Sequence, residues 1–216
     1  MPYFNNNYVN ILFIHIPKTG GSSIAEYLSQ KYSIERCEKS FCGFNLSKEI
    51  GGETYLHFPL NTMLTFYKDK IILENLKILS VVRNPYSRRI SNMFYRKKIC
   101  EQNICDDDMQ KNVEIVLKRD YDKYLIDQHY DDNHFTPQYK FLCDENDKLY
   151  TNIDILKFEN LNNDMKKLGF TDFNVDINKT TKKYNYMHYL NENSINLINK
   201  IYKKDFELFG YEMIHT

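Results

Sequence analysis

The sequence lacks the features that mark several large classes of protein. Its 216 residues contain 29 Lys and Arg against 29 Asp and Glu, so no basic excess favours binding to nucleic acid. No apolar run approaches the roughly 18 residues that cross a bilayer, and residues 1–10 lack the charged and apolar regions of a signal peptide. We therefore expect a soluble, cytoplasmic protein with no membrane span and no nucleic-acid partner.

Glycine, proline and cysteine are also scarce. The 7 Gly and 5 Pro form no Pro/Gly/Ser-rich hinge and mark no internal repeat, which predicts one domain over residues 1–216. The 5 cysteines are an odd number, which fits thiols in a reducing compartment better than a disulfide framework. Two pairs of cysteines have the same spacing, and together they could bind a zinc ion through Cys37, Cys42, Cys100 and Cys105. We prefer free thiols and no metal, and keep the zinc site as the weaker alternative.

Short apolar runs alternate with amphipathic segments along the chain. Residues 9–15 and 77–82 are predicted to be buried strands, each followed by turn residues and then by apolar side chains at helical spacing. Further strands are predicted at 54–57 and 154–158, and helices at 109–130 and 194–209. This alternation predicts an α/β fold with three layers, in which a parallel sheet is flanked by helices on both faces. Ligands of such sheets bind beyond the carboxyl ends of the strands.

The segment after the first predicted strand, HIPKTGGSSI (15–24), has the composition of an anion-binding turn. Gly20 and Gly21 let backbone N–H groups approach an anion, and the following helix directs its positive end to the same place. The cation and the hydroxyl donors are Lys18, Thr19, Ser22 and Ser23. We expect Ser22 or Ser23 to be the helix N-cap. Because Lys18 precedes the glycines, the order is not that of a Walker loop.

The segment after the second predicted strand supplies further anion-binding groups. Arg83 stands at the strand end, Pro85 turns the chain, and Ser91 follows in the next helix. A guanidinium fork and a hydroxyl that face one pocket suit a phosphate. Taken alone, the pair is better explained by a surface salt bridge of Arg83 and by a serine bonded to the backbone of its own helix. Two phosphate sites would fit a nucleotide phosphorylated at both its 5′ and 3′ positions.

These segments resemble the motifs of a known enzyme family. HIPKTGGSSI is similar to the 5′-phosphosulfate loop, and VVRNPYSRRIS (81–91) to the 3′-phosphate motif, of the carbohydrate sulfotransferases that include heparan-sulfate 2-O- and chondroitin sulfotransferases. HFTPQYKFL (134–142), ILKFENLNNDMKKLG (155–169) and IYKKDFELFGY (201–211) also resemble family segments in the expected order. The resemblance implies a P-loop nucleotide-kinase-like sulfotransferase fold and the cosubstrate 3′-phosphoadenosine 5′-phosphosulfate (PAPS). It also implies metal-independent in-line transfer to a carbohydrate or other hydroxyl acceptor.

The resemblance also implies roles for individual residues. Lys18 would contact the bridging and sulfuryl oxygens of PAPS. The 5′-phosphate would be held by Thr19, Gly20, Gly21, Ser22 and Ser23, and the 3′-phosphate by Arg83 and Ser91.

Sulfuryl transfer to a hydroxyl needs a base, and histidine is the simplest choice near neutral pH. His57 in TYLHFPLNTML is expected at the sheet edge, and the family has a histidine in a comparable place, so we assign His57 as the base beside Lys18. The competing explanation is a histidine whose hydrogen bonds are satisfied within the core. We expect His15 to pack or to steady the loop, whereas His134 and Gln138 are weaker candidates for the acceptor cleft. Two alternatives remain open: a P-loop kinase-like phosphotransferase and a non-catalytic nucleotide-binding descendant.

Overall fold

The computed structural model describes residues 3–34, 57–97, 99, 106–174 and 185–216. These residues fall into two compact units, which we call the sheet unit (within Met1–Val82 and Gln138–Val175) and the helical unit (within Arg83–Pro137 and Asp176–Thr216). A single domain over 1–216 stays a prediction. Part of the sequence analysis lies outside the described residues: positions 54–56 of one predicted strand, and Cys37, Cys42, Cys100 and Cys105.

Four strands of the described residues form the sheet. In spatial and chain order they are β1 (Tyr3–Asn5), β2 (Asn10–Ile14), β3 (Lys77–Val82) and β4 (Ile153–Lys157). The last three are parallel and confirm the strands predicted at 9–15, 77–82 and 154–158. β1 runs antiparallel to β2, so the prediction of an all-parallel sheet is wrong at this edge. A strand of three residues is too short for its side-chain periodicity to be recognised.

Helices flank the sheet and build the helical unit. Among the described residues they are α1 (Gly21–Tyr32), α2 (Leu60–Phe66), α3 (Pro85–Tyr95), α4 (Asp106–Ile126), α5 (Tyr139–Leu142), α6 (Leu161–Lys167), α7 (Glu192–Ile201) and α8 (Lys203–Phe209). The sheet unit contains α1, α2, α5 and α6, and the helical unit contains the other four. Within the described ranges, no helix combines the length and the hydrophobicity needed to cross a bilayer.

The centre of the sheet positions the first loop. Four consecutive side chains of β2, from Ile11 to Ile14, are buried, as expected for a parallel strand covered on both faces. Ile14 pairs with Ser80 of β3, whose hydroxyl donates to the Ile14 carbonyl oxygen at 2.9 Å. This buried bond fixes the carboxyl end of β2, so the residues after Ile14 start from a rigid edge.

The helical unit has its own apolar core, which includes Leu117, Phe135, Ile198 and Tyr202. The predicted helix at 109–130 corresponds to α4, but the one predicted at 194–209 is two helices. Tyr202 separates α7 from α8 with φ −107° and ψ 20°, and its hydroxyl donates to the Phe135 carbonyl oxygen at 2.8 Å. Gly210 ends α8 in the left-handed conformation.

Candidate functional site

The loop between β2 and α1 turns through left-handed backbone. Lys18 has φ 66° and Gly20 has φ 86°, so the chain reverses direction within a few residues of the sheet edge. Gly20 is the N-cap of α1, and the helix begins at Gly21. The prediction that Ser22 or Ser23 caps the helix is therefore wrong, because both serines already lie in its first turn.

The start of α1 leaves backbone donors for a ligand. The first four N–H groups of any α-helix lack an intrahelical acceptor. Here the Ser23 N–H donates to the Gly20 carbonyl oxygen at 3.1 Å, and no described side chain caps the helix. The first turn carries no acidic residue. A helix N-terminus of this kind attracts an anion through its N–H groups and its dipole.

The side chains of the loop differ in what they offer. The Thr19 side chain is fully buried, and its hydroxyl donates to the Ile16 carbonyl oxygen at 2.9 Å. Lys18 and Ser23 are half-buried, whereas Ser22 is exposed. The Thr19 hydroxyl hydrogen thus stabilises the turn, so the hydroxyl donors that reach the surface here are those of Ser22 and Ser23.

Two histidines meet beside this loop. His15 follows β2 directly and is 6% exposed; its ring stacks on Phe13 with centroids 5.7 Å apart. His57 immediately precedes the turn into α2 and is 7% exposed. The two imidazole rings form a T-shaped pair with centroids 5.2 Å apart and an interplanar angle of 77°. The structure therefore places the predicted base next to the residue that begins the loop, although His57 itself is not in a strand.

Arg83 begins the helical unit with a local partner that the sequence analysis missed. Its Nε donates to Ser87 Oγ at 2.9 Å, and the Ser87 hydroxyl donates to the Asn84 carbonyl oxygen at 3.1 Å. Asn84 also caps α3, since its side chain accepts from the Tyr86 and Ser87 N–H groups. Ser91 is half-buried one helical turn after Ser87. Arg83 precedes the N-cap of α3, so the contact is not an i,i+4 pair of that helix, and its one signal in the sequence is the short separation of four residues.

The other arginines of the same motif belong to the core. Arg88 and Arg89 are each 1% exposed. Arg88 Nη1 donates to the Thr136 carbonyl oxygen at 2.9 Å, and Arg89 Nη1 donates to the His134 carbonyl oxygen at 3.2 Å. Burial lowers the pKa of Arg88 to about 10. Of the three arginines in VVRNPYSRRIS, only Arg83 is partly accessible to an anion.

Comparison with known proteins decides the family. A model of the sulfotransferase family matches residues 2–212, which is nearly the whole chain. The chain belongs to the sulfotransferase family. No curated protein and no solved structure matches the chain significantly.

Family membership supports sulfotransferase activity in general terms. It implies a sulfate donor of the PAPS kind and an acceptor that bears a hydroxyl. It also agrees with the mixed sheet flanked by helices.

The two residues predicted for the acceptor cleft are both buried. His134 is 5% exposed, and its Nδ1 lies 2.9 Å from the Asp131 carbonyl oxygen and 3.1 Å from Arg96 Nη2. The ring stacks on Tyr95 with centroids 5.9 Å apart. Gln138 is fully buried at the start of α5. Their contribution to acceptor binding stays a prediction.

Proposed function

We propose that this protein transfers the sulfuryl group of PAPS to a hydroxyl, most favourably that of a carbohydrate, by an in-line displacement that needs no metal. The observation that carries the proposal is the loop from β2 into α1. It combines left-handed backbone at Lys18 and Gly20 with a helix start that has no side-chain cap. Such a start offers N–H donors to a 5′-phosphate without a divalent ion.

Each residue of the loop has a defined part in the proposed reaction. The N–H groups of Gly21 and Ser22, with the hydroxyls of Ser22 and Ser23, hold the 5′-phosphate, whereas the Ser23 N–H is bonded to the Gly20 carbonyl oxygen. Thr19 contributes through its backbone, because its hydroxyl hydrogen is bonded to Ile16. Lys18 neutralises the charge that develops on the bridging oxygen as the sulfur–oxygen bond of the donor breaks. A sulfuryl group carries less charge than a terminal phosphate, so one lysine and backbone dipoles suffice.

His57 completes the proposed reaction as the base. The acceptor oxygen forms a new bond to sulfur while the bond from sulfur to the phosphate oxygen breaks. The leaving 3′-phosphoadenosine 5′-phosphate (PAP) keeps that electron pair, and the acceptor proton passes to a ring nitrogen of His57. Arg83 and Ser91 hold the 3′-phosphate in this proposal, with Ser87 orienting the Arg83 guanidinium. That both phosphate sets bind one nucleotide stays a prediction.

The test measures transfer and cofactor binding separately. We expect the wild-type protein to transfer label from sulfur-labelled PAPS to at least one member of a glycan panel, with equal rates with and without a chelator. His57→Ala should lower kcat by about 100-fold or more and leave the Kd of PAP within about threefold. The matched control is His188→Ala, an exposed histidine with no proposed role, which should behave as wild type.

Three outcomes would contradict the proposal. Chelator-sensitive transfer from a nucleoside triphosphate would favour a kinase-like phosphotransferase. Binding of PAP without transfer to glycans, tyrosine peptides or small hydroxyl compounds would favour a non-catalytic descendant. Full activity of His57→Ala would remove His57 from the reaction.

A further inference from the structure

His15 occupies a position that packing alone does not explain. Its imidazole is enclosed on one side by Phe13, and its T-shaped contact with His57 has the ring separation typical of an aromatic pair. His15 is also the first residue after β2, where the loop begins. The same ring therefore touches the sheet and the proposed base.

The backbone of the loop presses against this ring as well. A Cβ atom built on Gly21 would lie 2.2 Å from His15 Cδ2 and 2.5 Å from its Nε2, far inside van der Waals contact. The φ angle of Gly21 is not left-handed, so the backbone conformation does not require glycine at this position. Glycine is required because a side chain would collide with the His15 ring. The first residue of α1 thus lies directly on the His15 imidazole.

We propose that His15 is a positioning residue that couples the loop to His57. Its ring is packed between the Gly21 backbone and the His57 imidazole, so it sets the distance from the N–H groups of the loop to the base. This inference rests on the proposed function, because it assigns His15 to the same reaction. It replaces the sequence-based expectation that His15 only packs or steadies the loop.

The coupling matters because in-line transfer depends on geometry. The base must reach the acceptor hydroxyl while the donor sulfur stays aligned, and an error of about 1 Å can cost about 100-fold in rate. Close-packed rings transmit displacement because the interior has little free volume. A shift of the His15 ring would therefore move His57 relative to the loop without removing either group.

Two substitutions and their combination test the proposal. His15→Ala should lower kcat by about 30-fold and leave the Kd of PAP within about threefold, because the loop keeps its donors while His57 loses its support. Gly21→Ala should weaken PAP binding by about tenfold or more, because the new methyl group displaces the ring and the loop. In His15→Ala/Gly21→Ala the methyl group occupies the vacated space, so PAP binding should recover to within about threefold of wild type while kcat stays low.

Two results of this cycle would overturn the proposal. One is a kcat for His15→Ala within about threefold of wild type. The other is a parallel loss of kcat and PAP affinity in His15→Ala, since a residue that only supports the fold would lower both together.

A measurement without turnover separates this inference from the proposed function. The imidazole resonances of His57, assigned by their loss in His57→Ala, report the ring environment by NMR. Gly21→Ala should shift them when His15 is present and leave them unchanged in the His15→Ala background. Equal shifts in both backgrounds would refute the coupling. If wild-type protein neither binds PAP nor transfers the sulfuryl group, the proposed function fails, and the NMR comparison still decides whether His15 links Gly21 to His57.

Discussion

Comparing Gly20 with Gly169 measures how much stability is lost when the glycine of the loop is replaced by alanine. Both have left-handed backbone, with φ 86° and 91°. A Cβ at Gly169 would meet nothing within 4 Å, whereas one at Gly20 would lie 3.0 Å and 3.1 Å from two carbons of the Phe158 ring. Alanine therefore introduces similar backbone strain at both positions, but a close contact only at Gly20.

The magnitudes follow from these two contributions. Left-handed backbone costs an alanine roughly 1–2 kcal/mol, and the reduced entropy of the unfolded chain offsets about 0.4–1 kcal/mol of this. We expect Gly169→Ala to lower the free energy of unfolding by about 1 kcal/mol. Overpacking against Phe158 adds about 1–2 kcal/mol, so Gly20→Ala should lose about 2–3 kcal/mol.

Urea unfolding of the two variants at pH 7 measures this difference, and titration with PAP measures its effect on the loop. Gly20→Ala should bind PAP more weakly than wild type, and Gly169→Ala should bind it equally well. Equal losses of stability in the two variants would refute the argument that Phe158 restricts position 20. Unchanged PAP affinity in Gly20→Ala would remove this turn from the proposed donor site.

Two further predictions concern the helical unit. Ser87→Ala should raise the Kd of PAP by about tenfold, because the Arg83 guanidinium loses the hydroxyl that accepts from its Nε. Ser87→Thr keeps a hydroxyl, so its Kd should stay near that of wild type. Calorimetric titration with PAP measures both values. Burial raises the pKa of Tyr202 from 10.0 to about 12. Between these two pH values the unfolded chain loses the phenol proton while the folded protein keeps it, so the free energy of unfolding falls as the pH rises from about 10 to about 12. The loss should amount to about 3 kcal/mol in urea unfolding, and Tyr202→Phe should reduce this alkaline loss; an unchanged pH dependence in that variant would contradict the assignment.

Local patterns predicted the parts of the fold that depend on local interactions. Three strands and α1 follow from apolar runs and helical spacing, because each buries one continuous set of neighbouring side chains. The predicted N-cap of α1 was wrong because two preferences compete at that position. Serine is favoured as an N-cap, but the backbone there is left-handed, which favours glycine, and Gly20 is the N-cap. The break at Tyr202 depends on the distant Phe135 carbonyl, so helical spacing alone could not reveal it.

The candidate site was predictable in its residue types but not in its contacts. Arg83, Arg88 and Arg89 are chemically equivalent in the sequence, and only tertiary burial separates the partly accessible one from the two in the core. His15 and His57 lie far apart in the chain, so no spacing rule connects them. The Ser87 contact is different, because its partner is only four residues away, although Arg83 precedes α3 and the i,i+4 rule of a helix does not apply to it.

The two adjacent glycines of the loop are needed for different physical reasons, and neither reason is phosphate binding. Gly20 supplies a left-handed φ beside Phe158, and Gly21 supplies space for the His15 ring. A glycine pair would therefore be required here even in a protein that bound no nucleotide. The proposed donor site depends instead on the start of α1, which has no side-chain cap, and on the charge of the neighbouring Lys18. Because the Thr19 hydroxyl hydrogen is already bonded to Ile16, the hydroxyls that could join the backbone N–H groups in the proposed donor site are those of Ser22 and Ser23.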